Sequence, residues 1–299
     1  MAFRSTAIFD RQPGRLTRVV RTRAELRDAL EEAAQPVGLI PTMGWLHDGH
    51  RALIRQARRA DATTVVSIFV NPRQFNVADD YTKYPRDEAR DLEICESERV
   101  DIVFAPAASE VYPEGFDTTV SVGSVAQPLE GAARPGHFDG VATVVAILFD
   151  LVGGDHAYFG QKDAQQVMVI RQMARDLAIP TDVIACPTVR EPDGLALSSR
   201  NVHLSPEERR AAPVLHRGLV AARSRWETGE RSAEALREAM RQTLAAEPLA
   251  DVEYVSVADG RTLQELERVD GAALLSLAVR FGTTRLIDNE PLGDGPPTT

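Results

Sequence analysis

The strongest constraint on how this chain can fold is an alternation that runs along its first two thirds. Short Val/Ile-rich runs are separated by longer segments with helical spacing. Apolar runs near 37–41, 64–70, 101–105, 156–159 and 182–185 read as strands. The stretches near 47–60, 87–99, 139–152 and 163–178 place apolar residues three and four apart, as amphipathic helices do. Strands joined through helices pair in parallel, and a parallel sheet needs helices on both faces. The expectation is therefore an α/β, doubly wound parallel sheet. Thr22-Arg-Ala-Glu25 has the spacing of a capping box and predicts one more helix, to about residue 34, ahead of the first of these strands.

The texture changes after Thr188-Val-Arg-Glu-Pro192-Asp-Gly194, a turn-rich segment that reads as a hinge. Charged amphipathic helices are expected at about 205–227 and 231–245, then strands near 252–257, 273–279 and 283–287. With 299 residues and 43% hydrophobic content there is material for roughly two cores. The division predicted is a Rossmann-like domain over 1–188, with 1–16 a frayed extension, a smaller C-terminal α+β domain over 189–290, and a Gly/Pro/Thr-rich disordered tail over 291–299. No G-x-G-x-x-G follows the first strand, which disfavours a dinucleotide cofactor.

Charge and cysteine usage narrow the function classes. A net charge of −10 argues against broad binding to nucleic acid or to anionic membranes. No apolar run approaches the ~20 residues needed to span a bilayer. Residues 1–15 carry Arg4, Arg11 and Arg15 but no continuous apolar core and no small-residue cleavage site, which predicts a cytoplasmic protein. Cys95 and Cys186 have no C-x-x-C spacing, so free thiols are expected rather than a disulfide or zinc site. An anionic substrate would have to meet a local gathering of His47, His50, Arg134, Lys162 and Arg200.

The segment Ile40-Pro-Thr-Met-Gly-Trp-Leu-His47-Asp-Gly49-His50 joins an apolar run to two histidines around a glycine. If they open a helix, the imidazoles lie on one face beside unpaired N–H groups and a partial positive charge, and Gly49 lets a ligand approach the backbone. That is a phosphate site, although two surface histidines near a turn would use the same four letters. An H-x-G-H element after a first strand resembles the signature of the nucleotidyltransferase superfamily that includes class I aminoacyl-tRNA synthetases. The resemblance implies that it holds the phosphates of ATP.

Further segments follow in order: Phe69-Val-Asn-Pro-Arg-Gln74-Phe75, Tyr84-Pro-Arg86, Arg134-Pro-Gly-His137-Phe-Asp-Gly-Val141, Phe159-Gly160-Gln-Lys162-Asp163-Ala-Gln-Gln166 and Leu197-Ser198-Ser199-Arg200-Asn201. Together with the first, they resemble the pantoate–β-alanine ligase family from about Thr17 to about Asn289. One departure is Asp48, where glutamate is the more usual residue; the charge is kept and the side chain shortened. The resemblance implies an enzyme that condenses pantoate with β-alanine through a pantoyl adenylate, consuming ATP with Mg²⁺ and releasing AMP and diphosphate. It also implies a homodimer.

Site residues follow from the same resemblance. Lys162 would contact the ATP phosphates, with Gly160 and Asp163 near the ribose. Met43, Gly44, His47, Gly49, His50, Val189 and Leu197 would complete the nucleotide site. Ser198, Ser199 and Arg200 resemble the shortened K-M-S-K-S-like loop of the superfamily, and two hydroxyls with a guanidinium suit an anionic transition state. Gln74 and Gln166 would hold pantoate, with Pro41, Thr42, Met43 and Phe75 shaping its pocket, because an amide can donate to a carboxylate and accept from a hydroxyl. Arg134 would meet the β-alanine carboxylate or a phosphate. Tyr84-Pro-Arg86 and Arg134 to His137 read equally as substrate contacts or as structural turns. The segment 71–90 has the polar, irregular character of a lid, and His156, His203 and His216 read as structural. Two rivals are a tRNA synthetase, which needs a basic RNA surface or anticodon domain, and an inactive nucleotide-binding regulator, which would bind ATP without releasing diphosphate.

Overall fold

A computed structural model describes residues 16–75 and 78–293. Nearly all of the expected frayed extension, and the expected tail from 294 onward, lie outside these residues. The first sheet is built from β1 (Arg18–Val20), α1 (Arg23–Glu31), β2 (Val37–Thr42), α2 (Asp48–Ala60), β3 (Thr63–Ile68), α3 (Ala78–Lys83), α4 (Glu88–Ser97) and β4 (Ile102–Phe104). It continues through α5 (Ala108–Val111), α6 (Glu130–Ala133), α7 (His137–Val152), β5 (His156–Gly160), α8 (Ala164–Asp176) and β6 (Asp182–Cys186). All pairings are parallel, in the order β1-β4-β3-β2-β5-β6.

Alternation within β2, β3 and β4 buries both faces of the sheet. Leu39, Val65 and Phe104 face one core with α1, α7 and α8, while Ile40, Val66 and Val103 face the other with α2 and α4. Chain direction across the sheet reverses at β2, whose neighbours are β3 on one side and β5 on the other. β2 and β3 share a continuous register from Val37↔Thr63 to Thr42↔Ile68. β2 and β5 pair only at Gly38↔His156 and Leu39↔Ala157, so their carboxyl ends part. A crevice at that switch point is where open α/β sheets bind ligands.

Thr22 caps α1 as its sequence predicts: the Glu25 N–H donates to the Thr22 hydroxyl, and the Thr22 N–H donates back to the Glu25 carboxylate. The helix stops at Glu31, short of residue 34, ahead of Pro36, which disfavours helical backbone at the residue before it. β1 was not expected from the sequence. It is a three-residue edge strand whose Arg18 and Val19 are exposed, so it carries no alternation to read.

Beyond β6 come α9 (Pro206–Ala211), α10 (Val214–Glu227), α11 (Ala233–Ala245), β7 (Asp251–Asp259), β8 (Ala273–Phe281) and β9 (Thr284–Leu292). The helix expected over 205–227 is two helices, broken before Pro213, which has no N–H to continue the ladder. The strands form an antiparallel sheet β7-β8-β9. β9 pairs with β8 as far as Ala273↔Leu292, so Pro291 and Leu292, read from sequence as part of the tail, belong to a strand. One face of this sheet packs Val257, Leu275, Leu277 and Val279 against Leu215, Leu219, Leu236 and Met240. The opposite face carries Tyr254, Ser276, Arg280, Arg285 and Asn289, which line a cavity shared with the crevice of the parallel sheet. Cys95 and Cys186 are both buried and free. Among the described residues no helix is long and apolar enough to cross a membrane.

Candidate active site

The turn from β2 into α2 is fixed before any ligand arrives. Gly44 and Trp45 both take positive φ, and the carboxylate of Asp91, reaching across from α4, accepts from the Trp45 and Leu46 N–H groups at 2.7 Å each. A side chain on Gly44 would run into Asp91, its Cβ 2.9 Å from an oxygen. The Thr42 hydroxyl donates to the Ser67 carbonyl at 2.7 Å and accepts from the Gly44 N–H at 3.2 Å.

α2 then opens on a capping box made of imidazoles. His47 Nδ1 accepts from the Gly49 N–H at 3.1 Å, and His50 Nδ1 accepts from the His47 N–H at 3.2 Å. The ring centroids are 4.2 Å apart. Because each Nδ1 is an acceptor, each ring carries its proton on Nε2 and has one donor left over. Burial first, and then the charge of Lys162, push His47 down to about 4; burial and the neighbouring His47 push His50 down to about 3. Both rings are therefore neutral donors at physiological pH. Gly49 is required by packing, since a Cβ there would sit 2.8 Å from the His47 ring.

Gln74 is held from several directions. Its amide donates to the Met43 sulfur at 3.1 Å and accepts from the Asn71 side chain at 3.0 Å, and Asn71 is itself fixed by the Tyr112 hydroxyl at 2.7 Å. The Gln74 carbonyl lies 2.8 Å from His137 Nδ1 and accepts from the Arg134 guanidinium at 3.3 Å. A carbonyl on Nδ1 places the His137 proton there and leaves Nε2, 3.2 Å from Arg134, as an acceptor. Burial and the Arg134 charge push His137 down to about 4. Gln165, one residue before Gln166, is used differently. It accepts from the Glu130 N–H and donates to the Val125 and Pro128 carbonyls, bracing the segment before α6.

Lys162 stands in a 3-10 turn (Gln161–Asp163) after β5, its ammonium 3.4 Å from Asp163. Withdrawal from solvent works to raise the Asp163 carboxyl, but the charges of Lys162 and Arg200 more than offset it, so it lies below the ordinary carboxylate range. Facing it, Ser198 caps a second 3-10 turn (Ser199–His203) by accepting from the Arg200 N–H at 3.2 Å. Tyr84 lies beside Ser199 of that loop and stacks edge-on to Phe75, with ring centroids 5.8 Å apart. Arg86 instead donates to the Tyr81 and Tyr84 carbonyls at 2.9 Å, so it serves its own turn.

His47, His50, Gln74, His137, Lys162 and Arg200 border one cavity of about 1210 Å³ between the two sheets. Of the positions expected from sequence, every one except Gly44 lines it; Gly44 lies behind the wall, where it turns the chain. The family profile described as Pantoate-beta-alanine ligase matches residues 18–291. The chain belongs to the pantoate–β-alanine ligase family. Its activity is the ATP-dependent joining of pantoate and β-alanine to give pantothenate. The chain is similar to the pantothenate synthetase of Roseiflexus sp. (strain RS-1), with 59% identity over 272 residues, 91% of this chain and 98% of that protein. The crystal structure of pantothenate synthetase from Thermus thermophilus matches at a TM-score of 0.88 and 48% identity, covering 93% of this chain and 100% of that one. The pantoate–β-alanine ligase of Francisella tularensis, complexed with β-γ ATP and β-alanine, matches at 0.76 and 33%, covering 95% of this chain and 100% of that one.

Sequence reasoning missed the part of the cavity wall contributed by the small sheet. Arg285 grips the Glu130 carboxylate with both guanidinium nitrogens at 2.6 and 2.8 Å, and the Tyr254 hydroxyl donates to the same carboxylate at 2.9 Å. Burial works to raise Glu130, and Arg285 overrides it, so the carboxyl is held below its ordinary range. Asp288 takes Arg190 in the same two-pronged way at 2.6 and 3.0 Å. These partners lie about 100 residues or more apart and carry no local motif.

Proposed function

We propose a division of labour in which the Gln74 end of the cavity binds pantoate and the histidine–lysine end binds the ATP phosphates. The observation that carries it is the meeting, in one cavity, of a fixed amide cluster with two neutral imidazole donors, a lysine and the Ser198–Arg200 loop. Gln74 and Gln166 take the carboxylate and hydroxyls of pantoate, with Pro41, Thr42, Met43 and Phe75 around its apolar part. Held there, the carboxylate oxygen attacks the α-phosphorus, forming a P–O bond as the bond to diphosphate breaks. His47, His50, Lys162, Ser198, Ser199 and Arg200 donate to the charge that spreads over the phosphates, and such preorganised donors stabilise a transition state without reorganising. Met43, Gly49, Gly160, Asp163, Val189 and Leu197 bound the nucleotide. The amine of β-alanine, its carboxylate toward Arg134, then attacks the activated carbonyl; the C–N bond forms, AMP leaves and the amine loses a proton to solvent.

Among the described residues no three His, Cys, Asp or Glu side chains cluster to hold a metal. The single ionised carboxylate of Asp163 beside the phosphate site fits Mg²⁺, which is bound by few protein oxygens together with substrate phosphates and water. When bound, it would neutralise charge on the departing diphosphate. The same reading takes the protein as a cytoplasmic homodimer that divides near residue 188, after β6 and before the hairpin closed by Arg190↔Ala196. The decisive experiment supplies pantoate labelled with ¹⁸O in its carboxylate. One label per turnover should appear in AMP, and unlabelled AMP from an active enzyme would refute the adenylate route. Sedimentation at micromolar concentration checks the dimer.

A further inference from the structure

We infer that Asn289, on β9 of the small sheet, is a positioning residue that sets Lys162 for phosphate transfer; the inference rests on the reading of Lys162 given above. The turn that carries Lys162 begins at Gly160 without a side-chain cap. Its main chain is held instead from the other sheet. The Asn289 amide donates to the Gln161 carbonyl at 3.0 Å and to the Lys162 carbonyl at 2.8 Å, and accepts from the Gln161 side chain at 3.1 Å. Both ends of the amide are used, so its orientation is fixed. Asn289 is only 6% exposed, which denies water the chance to replace these bonds.

The strand that presents Asn289 is pinned on its other side. Asp288 accepts from the Asn289 N–H at 2.9 Å and forms the paired bonds to Arg190, which also donates to the Gly194 carbonyl at 3.1 Å. Arg190 begins the hairpin that leads into the Ser198–Arg200 loop. Neighbouring positions on one strand therefore hold the two cationic halves of the phosphate site, Asn289 the lysine half and Asp288 the serine–arginine half. Displacement of a reacting or stabilising group by about 1 Å can cost on the order of 10² in rate. A main-chain clamp on Lys162 is a means of preventing it.

A double-mutant cycle in the full-length enzyme tests this, reading the single-turnover rate of AMP formation with ATP, Mg²⁺, pantoate and β-alanine. Asn289→Ala should lower that rate roughly 10- to 100-fold, with the pantoate concentration for half-maximal rate little changed. In a Lys162→Ala background the same substitution should change the rate by less than about 3-fold, because residues acting as one unit are not additive. An equal factor in both backgrounds, or an Asn289→Ala enzyme as fast as wild type, would overturn the inference. A Lys162→Ala enzyme as fast as wild type would defeat the phosphate reading of Lys162 itself. Should Asn289→Ala fail to fold, Gln161→Ala removes one of the three bonds and runs through the same cycle. A smaller loss that disappears without Lys162 supports the clamp, and a loss that persists refutes it.

Discussion

His47, His50 and His137 are kept uncharged by burial, at about 4, 3 and 4 against an ordinary 6.5, and each presents a fixed tautomer. An unfolded chain protonates these rings near pH 6.5 while the folded one does not. Their contribution to stability is therefore complete above that pH and drains away as pH falls toward 4 and 3. Urea unfolding should show a lower midpoint at pH 5 than at pH 7.5, and His50→Gln should flatten the difference; an unchanged slope would contradict neutral burial. Gln166 carries a second prediction. Gln166→Ala should weaken pantoate binding by about 1–3 kcal/mol, the cost of leaving polar groups unsatisfied, with ATP binding little altered. Calorimetric titration of each ligand checks it, and equal losses would remove Gln166 from the pantoate pocket. At this scale the sequence was legible where partners are neighbours: His47, Gly49 and His50 cap one another within four residues. It singled out Arg134 and His137 but could not say what holds them, since the partner of both is the main-chain carbonyl of Gln74, at least 60 residues away.

Among the elements, α2 has its N-terminal cap and the proposed phosphate donors in the same two rings, Nδ1 of each capping and Nε2 of each left to donate. Asp91 of α4 holds the turn that feeds it, and Asp91→Ala would leave the Trp45 and Leu46 N–H groups buried without their acceptor, at about 1–3 kcal/mol each. The expected result is a lower thermal midpoint together with a slower adenylation step. A variant that lost stability but kept full activity would show that the turn does not depend on Asp91 for its catalytic shape. Most elements were legible because their apolar period is local, as in β2 and α2. The errors also have local causes: Pro213 splits a helix whose amphipathic pattern runs straight through it, and β1 is too short and too exposed to show any period. The end of β9 at Leu292 was hidden by its composition, since proline and glycine read as a tail while β8 supplies the pairing.

Across the whole molecule, the ties between the sheets were the least legible feature. A glutamate such as Glu130 looks like any surface carboxylate until Arg285, 155 residues on, arrives to bury it. Breaking that pair from one side should be costly. Glu130→Gln or Arg285→Met is expected to destabilise by about 3–5 kcal/mol, whereas the double change should cost less than the sum, because removing both partners leaves no stranded charge. Chemical denaturation of the three variants checks this, and simple additivity would mean the pair is not coupled. The clamp on Lys162 is of the same long-range kind, and its consequence lies in the timing of synthesis. The H-x-G-H turn and the lysine turn are both translated well before the small sheet, yet the Asn289 clamp on the lysine turn is missing until residue 289 has left the ribosome. A nascent or prematurely terminated chain would thus carry all the expected phosphate ligands with one of them loose. It would be a poor consumer of ATP, and the enzyme would come into operation only when its last strand is in place.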